Sequence, residues 1–236
     1  MQEPVILQND FLGDYMKLVF SALTKFLAGL FLVGALLFLP AGGFDFWNAW
    51  LLVAILFVPM LILGIILCFK SPKLLEKRMN TNEKETTQKV VVAVSGVMFV
   101  FGFVVAALDH RFGWSNVPLW IVILSSVLFF VSYLLYAEVM RENAYLSRTV
   151  EVCRDQKVID TGLYGIVRHP MYAVTVLMFL SMPLVLGSWW SFLCFLPYVF
   201  VVEIRIRNEE KILEKELFGY AEYKKRVKYK ILPYVW

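Results

Sequence analysis

Between Phe46 and Phe69 the chain reads FWNAWLLVAILFVPMLILGIILCF, 24 residues without one charged side chain. As a helix this stretch is about 36 Å long, enough to cross a hydrocarbon core of roughly 30 Å. Lipid offers no partner to a backbone N–H or C=O, so a span of this kind has to be helical. Five further stretches have the same character, near 18–40, 90–108, 118–137, 170–186 and 189–204. The last two hold about 17 residues each, roughly 25 Å of helix, and only Gly187 and Ser188 separate them. The expected fold is therefore an all-α polytopic membrane protein of about six transmembrane helices, ending in a helical hairpin. Composition agrees: 60% of the residues are hydrophobic and 18% charged, against about 45–50% apolar in soluble domains. Trp47, Trp50, Trp114, Trp120, Trp189 and Trp190 fall at the expected span ends, as an interfacial aromatic belt requires.

The basic residues are distributed unevenly. Lys17 and Lys25 precede or enter the first span, and the 70–89 loop, the 138–169 segment and the tail from Arg205 carry nearly all the others. Arg111 alone falls on the opposite side. By the positive-inside rule both termini and these loops are expected in the cytoplasm, with the protein in the inner or cell membrane. The net charge of +4 then suits an anionic leaflet and calls for no nucleic-acid partner. Cys68, Cys153 and Cys194 have neither disulfide-framework nor metal-site spacing. The opening MQEPVILQNDFLGDYMK lacks the basic start of a cleavable signal, so the first span is expected to be retained. The mixed-charge loop 70–89 reads as part amphipathic helix and part flexible linker, a solvated connection without chemistry. Residues 1–137 form a region of about four helices, and 138–236 a second, polar-rich region carrying the function.

Two polar clusters flank the last hairpin. Upstream is GLYGIVRHPMY, residues 162–172. Pro170 suits the first turn of a helix, where its missing N–H costs nothing. That places His169 near the N-cap and offers first-turn amides, with Arg168 and Tyr164, as an anion site. Arg168 and His169 would equally suit an extension to lipid headgroups. Downstream is VVEIRIRNEEKILEKELFGYAEYKKRV. There Arg205 and Glu209 share a helix face, while Glu203, Arg207, Glu210 and Glu214 form a neighbouring stripe. That stripe also suits a helix stabilised by its own ion pairs. Both clusters are expected on one side of the membrane, framing a pocket for a charged small molecule and a hydrophobic partner.

The same two motifs, from about Glu142 to Trp236, resemble the isoprenylcysteine carboxyl methyltransferase family, in a superfamily that includes phospholipid methyltransferases. Membrane sterol reductases, which use a nicotinamide cofactor, share a related C-terminal half. The resemblance implies an integral-membrane enzyme using S-adenosylmethionine, with a lipophilic or lipidated acceptor methylated at a carboxylate. It places the cofactor against Gln156, Lys157, Val158 and Ile159, against Tyr164, His169, Pro170, Met171 and Tyr172, and against Glu209. Family members often carry a histidine where this chain has Gln156. Arg205 falls where the family places an arginine associated with the acceptor carboxylate. Phospholipid N-methylation and NADPH-dependent reduction remain the alternatives. The resemblance leaves Asn143, Glu210, Tyr220 and Tyr223 without a role.

Overall fold

The computed structural model describes residues 3–80, 85–147, 152 and 156–236, with backbone alone for 3–12 and 14. Cys153, Arg148 and Arg154 lie outside the described residues. Nine α-helices and one 3-10 turn form the described chain: α1 (Glu3–Ala41), α2 (Trp47–Lys70), α3 (Pro72–Met79), α4 (Thr86–Phe112), α5 (Leu119–Glu142), the turn at Gly162–Gly165, α6 (Pro170–Val185), α7 (Trp189–Phe195), α8 (Tyr198–Glu216) and α9 (Tyr220–Arg226). No β-strand occurs among the described residues. Five helical stretches are long and apolar enough to cross a membrane: Tyr15–Ala41, α2, α4, α5 and Trp189–Glu216. The sixth expected span, α6, is a shorter apolar helix.

Two boundaries differ from the sequence expectation. The first helix begins well before residue 18. The last expected span, 189–204, is not one helix ending at the membrane. It breaks at Leu196–Pro197 into α7 and α8, and α8 continues to Glu216. Pro197 lacks the N–H that would continue the α7 ladder, so the chain re-starts there. The added turns of α8 carry Arg205 and Glu209 out of the apolar bundle on a helix rather than a loop.

α1 packs on α2 and α4, α5 on α2 and α6, and α7 and α8 on α4 and α6. The largest core brings Leu37, Leu52, Ala106, Phe129, Val185 and Phe195 together, all fully buried. The lipid-facing side of the bundle exposes Phe31, Val97, Ile123 and Phe200 among many others. With no hydrophobic force between helices in lipid, small residues and polar clasps decide the packing. Gly102 is such a residue: a Cβ there would lie 2.2 Å from the Phe195 ring. One clasp closes the end of the bundle away from the basic loops. The buried Asp109 carboxylate accepts from Ser115 N at 2.7 Å and from the hydroxyls of Ser115 and Ser188. Asn48 donates to Val185 O at 2.8 Å beside Gly187, whose φ of +74° makes the α6–α7 turn.

At the basic end, α3 lies across the bundle. Leu74 and Leu75 are buried, and Leu74 joins Val139, Met140, Leu146, Tyr164 and Val174 in a second core. The 70–89 segment is thus part helix, as expected, and that helix is docked on the bundle rather than solvated all round.

Candidate functional site

The polar clusters do meet. A cavity at the basic end is walled by the end of α5 and the residues after it (Asn143, Ser147), by 156–159, by the 3-10 turn, by the first turn of α6, by α8 and by α9. Of the positions singled out in the sequence, Gln156, Lys157, Val158, Ile159, Tyr164, His169, Met171, Tyr172, Arg205 and Glu209 line it. Pro170 does not; it is buried at the first position of α6, behind the wall. The cavity holds about 100 Å³, less than the roughly 300–1,000 Å³ of small-molecule sites.

Each wall is positioned by local chemistry. Gly162 adopts φ +51°, and a Cβ there would fall 1.4 Å from Glu142 Oε1. That carboxylate accepts from Leu163 N at 3.0 Å, which ties the 3-10 turn to the end of α5. The turn buries Tyr164, whose hydroxyl receives Asn143 Nδ2 at 3.0 Å. Tyr223 of α9 donates to Tyr164 O at 2.7 Å. Burial pushes the Tyr164 phenol up to about 12 despite the Asn143 hydrogen bond. Burial likewise pushes the Tyr220 and Tyr223 phenols up.

His169 is the N-cap of α6 and Pro170 its first residue, as the sequence suggested. The amides are less available than expected. His169 O takes Tyr172 N and Ala173 N, while His169 N itself donates to Lys230 O at 2.9 Å. Arg168 also lines the cavity, but its guanidinium is already engaged. Its guanidinium donates to Glu210 Oε1 at 2.8 Å and to the carbonyls of Val227 and Lys228 at 2.9 and 2.7 Å. Glu210 also holds His169 Nε2 at 3.1 Å and Lys224 Nζ at 3.0 Å. This buried knot joins α6, α8, α9 and the tail. Burial makes each charge dependent on its partners.

The two polar faces of α8 differ in their partners. Glu203 pairs with Arg207 and with Lys230, at 2.8 Å, as a self-stabilised helix would. Glu209 instead faces the cavity, where it is the only carboxylate among the described lining residues. It accepts the Tyr172 hydroxyl, and that hydroxyl receives Arg205 Nε at 2.8 Å. The Arg205 guanidinium also lies 5.8 Å from the Tyr172 ring centroid. Tyr172 is thus the joint between the two motifs.

Three lining residues that the sequence reading left without a role acquire one here. Asn143 and Tyr223 hold Tyr164 from either side. Tyr220 lies in the wall with its hydroxyl buried and unpartnered among the described residues. The Gly-Tyr-x-x-Tyr spacing of 219–223, which puts both rings on one helix face, was the available signal.

Residues 120–220 match the family model of the phospholipid methyltransferases. The Delta(14)-sterol reductase of Mus musculus is 32% identical over 99 residues, covering 37% of this chain. The chain spans 22% of that reductase's length. The family match falls on α5 through the start of α9, the elements that build the cavity. Together with the apolar helices it supports a membrane methyltransferase, and the methyl donor that such a family implies is S-adenosylmethionine.

Proposed function

We propose that this chain transfers the methyl group of S-adenosylmethionine to a lipophilic acceptor held in the bilayer, with a carboxylate as nucleophile. The observation that carries this reading is the junction of Tyr172, Arg205 and Glu209 in the wall of one cavity. The donor set suits the cofactor. Glu209 offers a carboxylate to hydroxyls or to an ammonium group, and His169, Met171, Tyr172 and Tyr164 form the facing wall. The segment 156–159 closes the side. The unpartnered Tyr220 hydroxyl suits a bound polar group, because a buried hydroxyl without a partner costs about 1–3 kcal/mol. When bound, the cofactor supplies an electrophilic sulfonium methyl. The machinery falls within 138–236, on the cytoplasmic side by the distribution of basic residues.

The chain's own residues have a limited task. A carboxylate is already nucleophilic at pH 7, so no general base is needed. Arg205, oriented through Tyr172, would hold it bidentately. Ile212, Leu213 and Leu217 would exclude water, and alignment in a dry site contributes about 7–11 kcal/mol. Calorimetry with S-adenosylhomocysteine and with NADPH tests the reading: micromolar binding of the first is expected. Binding of NADPH alone would replace it with a reductase.

The family match favours a second reading, an amine acceptor. Glu209 would then take the proton, since Glu210 is already engaged by Arg168, His169 and Lys224. The two readings separate on the labelled product. A methyl ester releases methanol in mild alkali, and an N-methyl product does not.

A further inference from the structure

Arg78 lies in the last turn of helix α3, in the loop that the sequence reading left without chemistry. Its guanidinium is half-buried, and its partners among the described residues are all neutral. Nη1 donates to Ser147 O at 3.1 Å and touches Met171 Sδ at 3.6 Å. Nη2 donates to the Tyr136 hydroxyl, and the group lies 5.4 Å from the Tyr136 ring centroid. By contrast Arg141, Arg168, Arg207 and Arg226 each have a carboxylate partner. A part-buried guanidinium facing only neutral groups is stabilised by any oxyanion that reaches it.

Its position says where such an oxyanion would sit. Ser147 and Met171 both line the cavity, so Arg78 stands one layer behind the wall. Its charge also acts on the Tyr164 phenol inside. Tyr136 lies near the end of the apolar part of α5, which puts the guanidinium where bundle and cavity join. Met171 and Tyr172 are successive residues on the first turn of α6; Arg78 touches one and Arg205 the other. The buried Leu74 and Leu75 fix α3 there, so the guanidinium is held rather than free to wander.

We propose that Arg78 binds an oxyanion, phosphate or carboxylate, on the headgroup of the membrane-embedded acceptor, as a second anchor beside Arg205. The acceptor's chain would lie along the apolar bundle while the two guanidinium groups set its depth. The assignment rests on reading the cavity as a methyl-transfer site.

The test uses the full chain in neutral maltoside micelles, with dodecyl phosphate and dodecanoate as probes and dodecyltrimethylammonium as control. Wild-type protein is expected to bind the anionic probes at one site, and the tighter of the two identifies the oxyanion. Arg78→Ala should weaken that binding about tenfold, the effect of one lost charged hydrogen-bond pair. Arg78→Lys should fall between, because a point charge does not reproduce the fork. S-adenosylhomocysteine affinity should be unchanged in both. Equal probe binding by wild type and Arg78→Ala overturns the proposal, as does a parallel loss of S-adenosylhomocysteine. If Arg78→Ala loses its thermal transition, Arg78→Lys decides alone, and probe affinity equal to wild type overturns the proposal. Absence of S-adenosylhomocysteine binding in wild type, with the Arg78 effect intact, would remove the methyl-transfer reading and leave the oxyanion site standing.

Discussion

Two adjacent carboxylates, Glu209 and Glu210, have opposite duties, and their loss should fail in opposite ways. Glu210 is buried among Arg168, His169 and Lys224. Glu210→Gln removes the counter-charge of a buried guanidinium and should destabilise the fold by about 3–5 kcal/mol. Glu209→Gln should leave the thermal transition nearly unchanged and lower S-adenosylhomocysteine affinity instead. Thermal denaturation in detergent and calorimetry on both variants check the split. Tyr172→Phe keeps the ring under Arg205 but disconnects Arg205 from Glu209. It should weaken S-adenosylhomocysteine by about tenfold, since hydrogen bonds to charged groups are worth about 1.5–3 kcal/mol. An affinity unchanged by Tyr172→Phe would mean that the hydroxyl only packs. Tyr164 gives a pH prediction. Its folded pKa, about 12, is above the unfolded value of about 10. The stabilisation is therefore fully present below about pH 10 and is lost as pH rises through 12. Tyrosinate absorbance should show a late-titrating phenol that Tyr164→Phe removes. The resemblance set Glu209 against the cofactor and left Glu210 without a role. The packing of α8 against α6 and α9 puts Glu209 in the cavity wall and Glu210 in the buried knot.

At the scale of helices, Gly102 and Gly96 lie on the same element and predict contrasting outcomes. Gly96 has open space around its Cα, whereas at Gly102 the Phe195 ring occupies the Cβ position. Phe195 is fully buried and cannot swing aside. Replacing glycine by alanine favours a helix by about 1 kcal/mol, and overpacking a core costs about 1–3 kcal/mol. Gly96→Ala should therefore be neutral or stabilising and Gly102→Ala destabilising. Phe195→Leu should recover part of the loss in the double variant, read as the shift in melting temperature. Apolar run lengths placed α2, α4 and α5 to within a few residues, because spanning lipid fixes both length and secondary structure. They could not place the break at Pro197 or the reach of α8. Those depend on α7 and α8 packing against α4 and α6 and on ion pairs beyond the apolar run.

For the molecule as a whole, the two ends differ in chemistry. The end with the Asp109 clasp carries Arg111, and the other carries α3, the cavity and the tail. Single cysteines at Lys73, Lys157 and Lys225, all exposed, should label from the cytoplasm, and one at Arg111 from the opposite side. Labelling of Lys225→Cys from outside would overturn the sidedness and the supply of cofactor from the cytosol. The amino-acid sequence by itself determined the membrane class, the helical architecture and the two polar segments, because the bilayer leaves a chain few solutions. Tertiary structure decided what each polar group does. It committed Arg168 to Glu210 and the tail, joined Arg205 to Glu209 through Tyr172, and brought Arg78 against Ser147 and Met171, 69 and 93 residues along the chain. Side-chain partners in a helical bundle are set by how helices rotate and cross. That rotation is a property of the whole packing and is written in no single stretch of residues.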